Sequence, residues 1–181
     1  MTAPEITLLP PSAAGDAALV AAVSTLINLV YAHSEEGLWT GSADRTAPGE
    51  IAGFVAAGEI AVARLGGRVV GCARVRSLDA GTGEFGLLAA APAVRGTGLG
   101  RELVRFAEER GRAAGHRRMQ LELLVPREGT HPAKEFLDRW YRRLGYGVVG
   151  KSTLDADFPQ LAPLLAVPCD LLVYHKDLAA S

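Results

Sequence analysis

EFGLLAAAPAVRGTGLGRELVRFAEERGRAAGHRRMQLE, Glu84 to Glu122, is the stretch whose reading decides the fold. It reads as an apolar strand, a glycine-rich turn, an amphipathic helix and a second strand. Arg95, Gly96, Thr97, Gly98, Leu99 and Gly100 sit at its centre. Glycine reaches backbone conformations closed to other residues and admits a ligand close to the main chain. A chain that turns there and enters a helix aims several free amide N–H groups at one point. With the helix dipole they form an anion site best suited to phosphate, and Arg95 and Arg101 flank it with positive charge.

Working outward, the helix spans about Leu99 to Ala114. Leu99, Leu103, Val104, Phe106 and Ala107 supply its apolar face. Glu102, Arg105, Glu108, Glu109, Arg110 and Arg112 supply a face read as solvated, with opposite charges at helical spacing worth about 0.2–0.5 kcal/mol per pair. Gly115 ends the helix, and Met119 to Val125 is the next strand. A strand–helix–strand crossover between parallel neighbours is right-handed, so the helix covers one face of the sheet. Upstream, Ile60–Arg64 and Arg68–Arg76 flank Gly66-Gly67, a hairpin signal.

Further upstream, Ile6–Leu9 is a first strand. A helix follows, capped by Ser12 or Asp16, with Leu19, Val23, Leu26, Ile27 and Val30 inward. Thr46 is expected to cap a second helix that has Pro48 in its first turn. Downstream, Pro132 starts a helix with Phe136, Leu137, Trp140, Tyr141 and Leu144 at helical spacing, and Gly145 stops it. A strand from Tyr146 and a last strand, Cys169–His175, complete the chain.

Composition excludes several classes. The 181 residues are 49% hydrophobic and 22% charged, with a formal net charge of −1. That is ordinary for one globular domain, read here as 1–181, and gives no basic surface for nucleic acid. Cys72 and Cys169 read as buried thiols in a reduced, cytoplasmic setting. No secretory signal is visible, and the apolar run Ala17–Ala32 is short for a membrane span. The four histidines lack ligand spacing, so no metal is expected. The Rossmann and nucleoside-triphosphate glycine patterns are both absent.

Arg95-Gly96-x-Gly98-x-Gly100, after an apolar strand and Pro92, resembles the acyl-CoA signature of the GNAT family of N-acetyltransferases. Arg95, Gly98 and Gly100 meet the family consensus Arg/Gln-x-x-Gly-x-Gly/Ala. The alternative is a tight strand-to-helix turn that only packs. WYRRLGY, Trp140 to Tyr146, looks like the family's late Phe-Tyr-x-x-x-Gly-Phe motif, with Tyr141 on the motif tyrosine. The resemblance covers Ile60 to Gly150 well, the earlier residues in element order only, and those after Gly150 loosely.

The resemblance implies an α/β fold: a central, mostly antiparallel mixed sheet with one parallel, splayed strand pair and flanking helices. It implies acetyl-CoA as co-substrate, lying in the splay, and transfer of the acetyl group to a primary amine by direct attack, with no acyl-enzyme. Cofactor contacts would come from Leu88, Ala89 and Ala90, from Arg95, Gly96, Thr97, Gly98, Leu99, Gly100 and Arg101, and from Lys134. Lys134 stands where many relatives carry asparagine, and it either reaches a phosphate or is solvated. Glu84 falls where one branch of the family places its general base; otherwise it is an exposed strand-end acid. Tyr141 is the expected proton donor to the leaving thiolate, a phenol of pKa near ~10 against a thiol near ~8.5, or else a core aromatic.

The acceptor would face Tyr31, His33, Glu35, Glu36 and Trp39, two acids and aromatics suited to a cationic amine, or these form an exposed acidic loop. His116 could lie near the adenosine end but reads as surface. The other classes are an acyl-CoA-binding sensor or interaction module without turnover, and a nucleotide-binding protein. Oligomeric state is left open, with a homodimer among the options.

Overall fold

The computed structural model describes residues 3–41 and 44–178. In chain order the elements are β1 Glu5–Leu8, α1 Ala17–Ser34, α2 Pro48–Ala56, β2 Ile60–Leu65, β3 Arg68–Ser77, β4 Thr82–Ala90, α3 Leu99–Ala113, β5 Arg118–Pro126, α4 Pro132–Arg143, β6 Gly147–Thr153, α5 Leu154–Asp157 and β7 Cys169–Asp177. The strands form one sheet in the order β1-β2-β3-β4-β5-β7-β6. Every neighbouring pair is antiparallel except β4 with β5. This is the mixed α/β architecture expected from the sequence.

Successive strand residues point to opposite faces, and the two faces take different helices. Val62, Cys72 and Ala89 pack with Val23 and Ile27 of α1 and Ile51 and Val55 of α2. Their neighbours Ala63 and Ala90 pack with Leu99 and Leu103 of α3. Farther along that second face, Phe85, Met119, Leu121 and Tyr174 join Val104 and Ala107 of α3 and Tyr141 of α4. Helix α1 starts at Asp16, whose Oδ1 accepts from the Leu19 N–H at 3.0 Å. It extends past the apolar run seen in the sequence, and its 18 residues are long and apolar enough to cross a membrane by length and composition. In this fold it is the helix that lays Val20, Val23, Ser24, Leu26 and Ile27, all buried, toward the sheet.

Several sequence expectations are corrected. Thr46 is not the cap of α2: Ala47 holds that place, and the Thr46 hydroxyl donates to Glu50 at 2.6 Å. Glu108 does not lie on a solvated face. It is 6% exposed, accepts from the Tyr146 hydroxyl at 2.8 Å and pairs with Lys176 at 2.9 Å. His116 is buried, not surface, and its Nδ1 has no hydrogen-bond partner among the described residues. Phe136 is 55% exposed, off the inner face of α4. The remaining charges of α3 behave as read, Arg105 lying 3.1 Å from Glu109 and 3.9 Å from Glu102. Both cysteines are free and buried.

Candidate active site

Strands β4 and β5 pair over three positions only, Thr82 with Arg118, Gly83 with Met119 and Glu84 with Gln120. Beyond Glu84, β4 stays with β3 and β5 stays with β7, so the two central strands part. The β3–β4 register also shifts between Cys72 and Arg74. Opposite that bulge, Leu87 adopts φ +47°, a left-handed conformation uncommon outside glycine. The result is a crevice of about 620 Å³. Its walls include Glu84 to Leu88 of β4, Glu122 to Leu124 of β5, Tyr31 and Glu35 near the end of α1, and Lys134, Leu137 and Tyr141 of α4.

The glycine turn stands past the far end of β4. A short 3₁₀ turn, Pro92–Val94, leads into it, and Gly96 and Gly98 take φ +79° and +88°. Gly98 is the N-cap of α3 and offers no side chain, so the first-turn amides are left for a ligand. Arg95, Gly96, Thr97, Gly98 and Arg101 are exposed there. Leu99 is instead a core residue, and a side chain on Gly100 would meet Trp140 at 3.5 Å. Neither this turn nor Ala89 and Ala90 borders the crevice itself.

Two of the carboxylates that border the crevice rise from the parting strands themselves, and they differ. Glu84 is committed: Arg76 reaches it at 2.6 Å and Gln120 donates to it at 3.1 Å. Glu122, one pleat further along β5, has no ion pair or hydrogen bond among the described residues. Burial, with the nearby Glu84 and Asp157 charges, pushes its carboxyl up to about 7. Sequence reasoning missed this residue, although its signal was present. Alternation from Met119 puts Gln120 and Glu122 on one face of the strand, and a lone acid there is anomalous.

Tyr141 is 7% exposed and borders the crevice while its ring packs near Phe85, Trp140, Tyr146 and Tyr174. Burial, with Tyr31 and Tyr174 nearby, raises its pKa well above the ordinary phenol value and keeps it protonated. Tyr31 is raised likewise by burial, against the opposing Arg45 charge, and the Leu88 N–H bears on its hydroxyl.

Lys134 and Glu35 depart most from expectation. They form a buried ion pair at 3.0 Å, with 3% and 4% of each residue exposed. The Trp39 indole N–H donates to the same carboxylate at 2.7 Å. Lys134 is therefore neither solvated nor beside the glycine turn, and Glu35 is not an open acidic contact. Burial pushes the Glu35 carboxyl up, but the Lys134 and Arg45 charges outweigh it and leave the pKa below the ordinary range. The N-terminus of α4, capped by His131, is thereby tied to the end of α1. Trp39 borders a smaller adjoining cavity with Tyr31, Glu35 and Arg45. His33 and Glu36 are exposed.

The sequence model described as the acetyltransferase (GNAT) family matches residues 31–146. No curated protein sequence matches significantly. Among solved structures, yncA from Salmonella typhimurium with its cofactor acetyl-CoA superposes with a TM-score of 0.67 at 18% identity, over 98% of this chain and 95% of that one. The IAA acetyltransferase from Bacillus cereus gives 0.64 at 18% identity, over 96% and 99%. The N-acetylglutamate synthase from Neisseria gonorrhoeae, complexed with coenzyme A and N-acetyl-glutamate, gives 0.65 at 16% identity, over 98% of this chain but 36% of that one. At these identities the likeness is one of fold.

Removing one member of a buried ion pair strands the other charge, at about 3–5 kcal/mol. Lys134→Met is expected to destabilise the fold on that scale in urea unfolding, and Lys134→Met with Glu35→Gln to recover most of the loss. Equal losses in the single and double variants would show that Lys134 and Glu35 are not coupled.

Proposed function

The chain belongs to the GNAT acetyltransferase family, and on that premise we propose that it transfers the acetyl group of acetyl-CoA to a primary amine by direct attack in a ternary complex. In this reading residues 1–181 form one catalytic domain working in the cytoplasm. The observation that carries the reading is the parting of β4 and β5. It leaves a crevice with an unpartnered carboxylate on one wall, Glu122, and a protonated phenol on the other, Tyr141. Similar folds that hold acetyl-CoA or coenzyme A support the choice of co-substrate.

Each chemical need has a residue. Diphosphate would rest on the free amides after Gly98, between Arg95 and Arg101, with the acyl arm directed along β4. An ammonium cannot attack a thioester, so its proton must leave first. Glu122 takes it, because a carboxyl with a pKa near 7 exchanges protons readily at neutral pH. The amine nitrogen then bonds to the thioester carbonyl carbon. The oxyanion that forms would be met by the β4 backbone near Leu88, where β4 no longer pairs with β5. Collapse re-forms the carbonyl and breaks the C–S bond. The thiolate leaves hydrogen-bonded to the Tyr141 hydroxyl and takes up the second proton, which the nitrogen sheds as it becomes an amide, while the proton taken by Glu122 returns to solvent. Glu84, the base expected from the resemblance, keeps Arg76 and Gln120 as partners and holds the closed end of the splay. An uncommitted Glu122 favours catalysis over a sensor, since acyl-CoA binding alone has no use for a raised carboxyl.

Gly98→Val tests the cofactor site. A Cβ placed there meets no protein atom within 4 Å, but it strains φ +88° and stands beside the amide cradle. Acetyl-CoA binding by calorimetry is expected to fall about 100-fold or more with the circular dichroism unchanged; unaltered binding would remove the diphosphate from this turn.

Tyr141→Phe is expected to lower kcat by about tenfold or more while the acetyl-CoA dissociation constant holds. Parallel loss of both would make Tyr141 a packing residue.

For Glu122 the sign is fixed by the raised pKa: below about 7 the carboxyl is protonated and cannot accept the amine's proton. The rate of CoA release is therefore expected to climb as pH rises through about 7. Glu122→Gln is expected to lower it by roughly 100-fold and abolish that rise. A limb that persists in Glu122→Gln belongs to another group.

A further inference from the structure

The crevice wall carries four cations, Arg45, Arg74, Arg76 and Lys134. Three are committed. Arg74 reaches Glu59 at 2.7 Å and lies over Phe54, Arg76 holds Glu84 at 2.6 Å, and Lys134 holds Glu35 at 3.0 Å. Arg45 is different. Among the described residues its guanidinium makes no ion pair and no hydrogen bond. It lies 5.5 Å from the Tyr31 ring centre and 5.6 Å from that of Trp39, half-buried where the crevice meets the smaller adjoining cavity.

Its mount is stiff. The next residue, Thr46, is buried and exchanges two 3.0 Å hydrogen bonds with the Asn28 side chain of α1. Among the described residues no acid forms an ion pair or hydrogen bond with it. Glu35 is held by Lys134 and Trp39, Glu50 accepts from the Thr46 hydroxyl, and Asp44 is exposed. A partly desolvated guanidinium against two aromatic rings keeps its planar fork of donors free. That fork matches a carboxylate through two parallel, charge-assisted hydrogen bonds.

We propose that the acceptor is a small amine that also carries a carboxylate, of amino-acid size, and that Arg45 is the residue that binds the carboxylate. The proposal rests on the acyl-transfer reading above. Arg45 and Glu122 border the same crevice, so one short molecule is placed to set its anionic end on Arg45 and its amine beside Glu122. A plain alkylamine would leave the guanidinium fork without a hydrogen-bonded anion and add a second cation to the same crevice. The crevice of about 620 Å³ must also admit the acyl end of the cofactor, and its remaining wall is apolar at Leu87, Leu88, Leu123 and Leu137. An amino acid with an apolar side chain suits that space better than an extended peptide.

The test uses the full chain, acetyl-CoA and matched acceptors: the standard L-amino acids, the carboxamides of leucine, phenylalanine and glutamate, and the corresponding decarboxylated amines. CoA release is followed, with acetyl-CoA binding measured separately by calorimetry. At least one free amino acid is expected to exceed its carboxamide in kcat/KM by about tenfold or more. Arg45→Gln is expected to raise KM for that amino acid by about tenfold or more and to change carboxamide KM far less, leaving acetyl-CoA binding unchanged. Arg45→Lys should restore part of the loss, which a merely structural role for the guanidinium would not predict. Carboxamides or plain amines that match or exceed the free acids, or an Arg45→Gln variant that weakens all acceptors alike, would overturn the proposal and leave acyl transfer intact. Acetyl-CoA binding without turnover of any acceptor overturns both the acceptor class and the catalytic reading. Failure to bind acetyl-CoA overturns the acyl-transfer reading and the proposal with it.

Discussion

A sheet gains from pairing every strand along its length, and this one stops pairing in its middle. After Glu84 and Gln120 the ladder between β4 and β5 ends while both strands continue, to Ala90 and to Pro126. Each strand keeps its outer partner, so the opening forfeits only the inner row of hydrogen bonds. Those backbone groups still require partners, from water or from a ligand. The irregularity on the other side of β4, with Leu87 at φ +47°, belongs to the same departure. Local strain of this kind persists only where surrounding packing holds it. Here Cys72 and Ala89 lie in the core beneath α1, and Leu87 packs against that core. The crevice, the acids that face it and the helix ends that roof it all follow from this interrupted ladder.

The charges around the opening divide into two kinds. Lys134, Glu35 and Trp39 satisfy one another, as do Glu108, Lys176 and Tyr146 on the opposite face. Such closed networks fix elements far apart in sequence, α1 to α4 and α3 to β7, and leave nothing free for chemistry. Glu122 and Arg45 form the other kind. The Glu122 carboxyl sits above its ordinary 4.5, so its native environment favours the protonated form. The unfolded chain then binds fewer protons than the native one between about 4.5 and about 7, and the stability tied to this group drains away as pH climbs through that window. A purely structural position would exchange that carboxyl for an amide or a leucine. An ionisable group that weakens the fold at neutral pH is intelligible as a functional group.

Local signals made most of the fold legible. Gly96, Gly98 and Gly115 bracket α3 because positive φ is needed at its entry and exit, and Gly66-Gly67 turns the β2–β3 hairpin for the same reason. Apolar periodicity places α1, α3 and α4, and the acyl-CoA-like turn is contiguous in sequence. What was not legible depends on distant partners. Lys134 is separated by 99 residues from the carboxylate that holds it, and Glu108 by 68 from its lysine. A lysine near a helix start and a glutamate in a charged run have no local mark of burial. Thr46 precedes a helix as a cap would, yet Asn28 takes its backbone N–H and carbonyl, and capping passes to Ala47. Arg45 gave no sign, since its meaning is the lack of an ion pair or hydrogen bond among the described residues.

The two acids in the gap show how position on the splay separates roles that the sequence alone left to Glu84. Glu84 stands at the last paired position, where β4 is still bonded on both sides. From there it reaches Arg76 on β3 and Gln120 on β5 at once, so one carboxylate ties three strands where the opening begins. Its negative charge is fully committed yet still acts on Glu122, one pleat further out, and helps to hold that carboxyl protonated. Were the ladder to continue past Gln120, β4 would cover the Glu122 position and no crevice would exist. Were it to end earlier, Glu84 would lose Gln120 and its hold across the strands. The acid that ends the ladder and the acid that faces the acceptor therefore cannot be the same residue, and the sheet supplies one of each on adjacent strands.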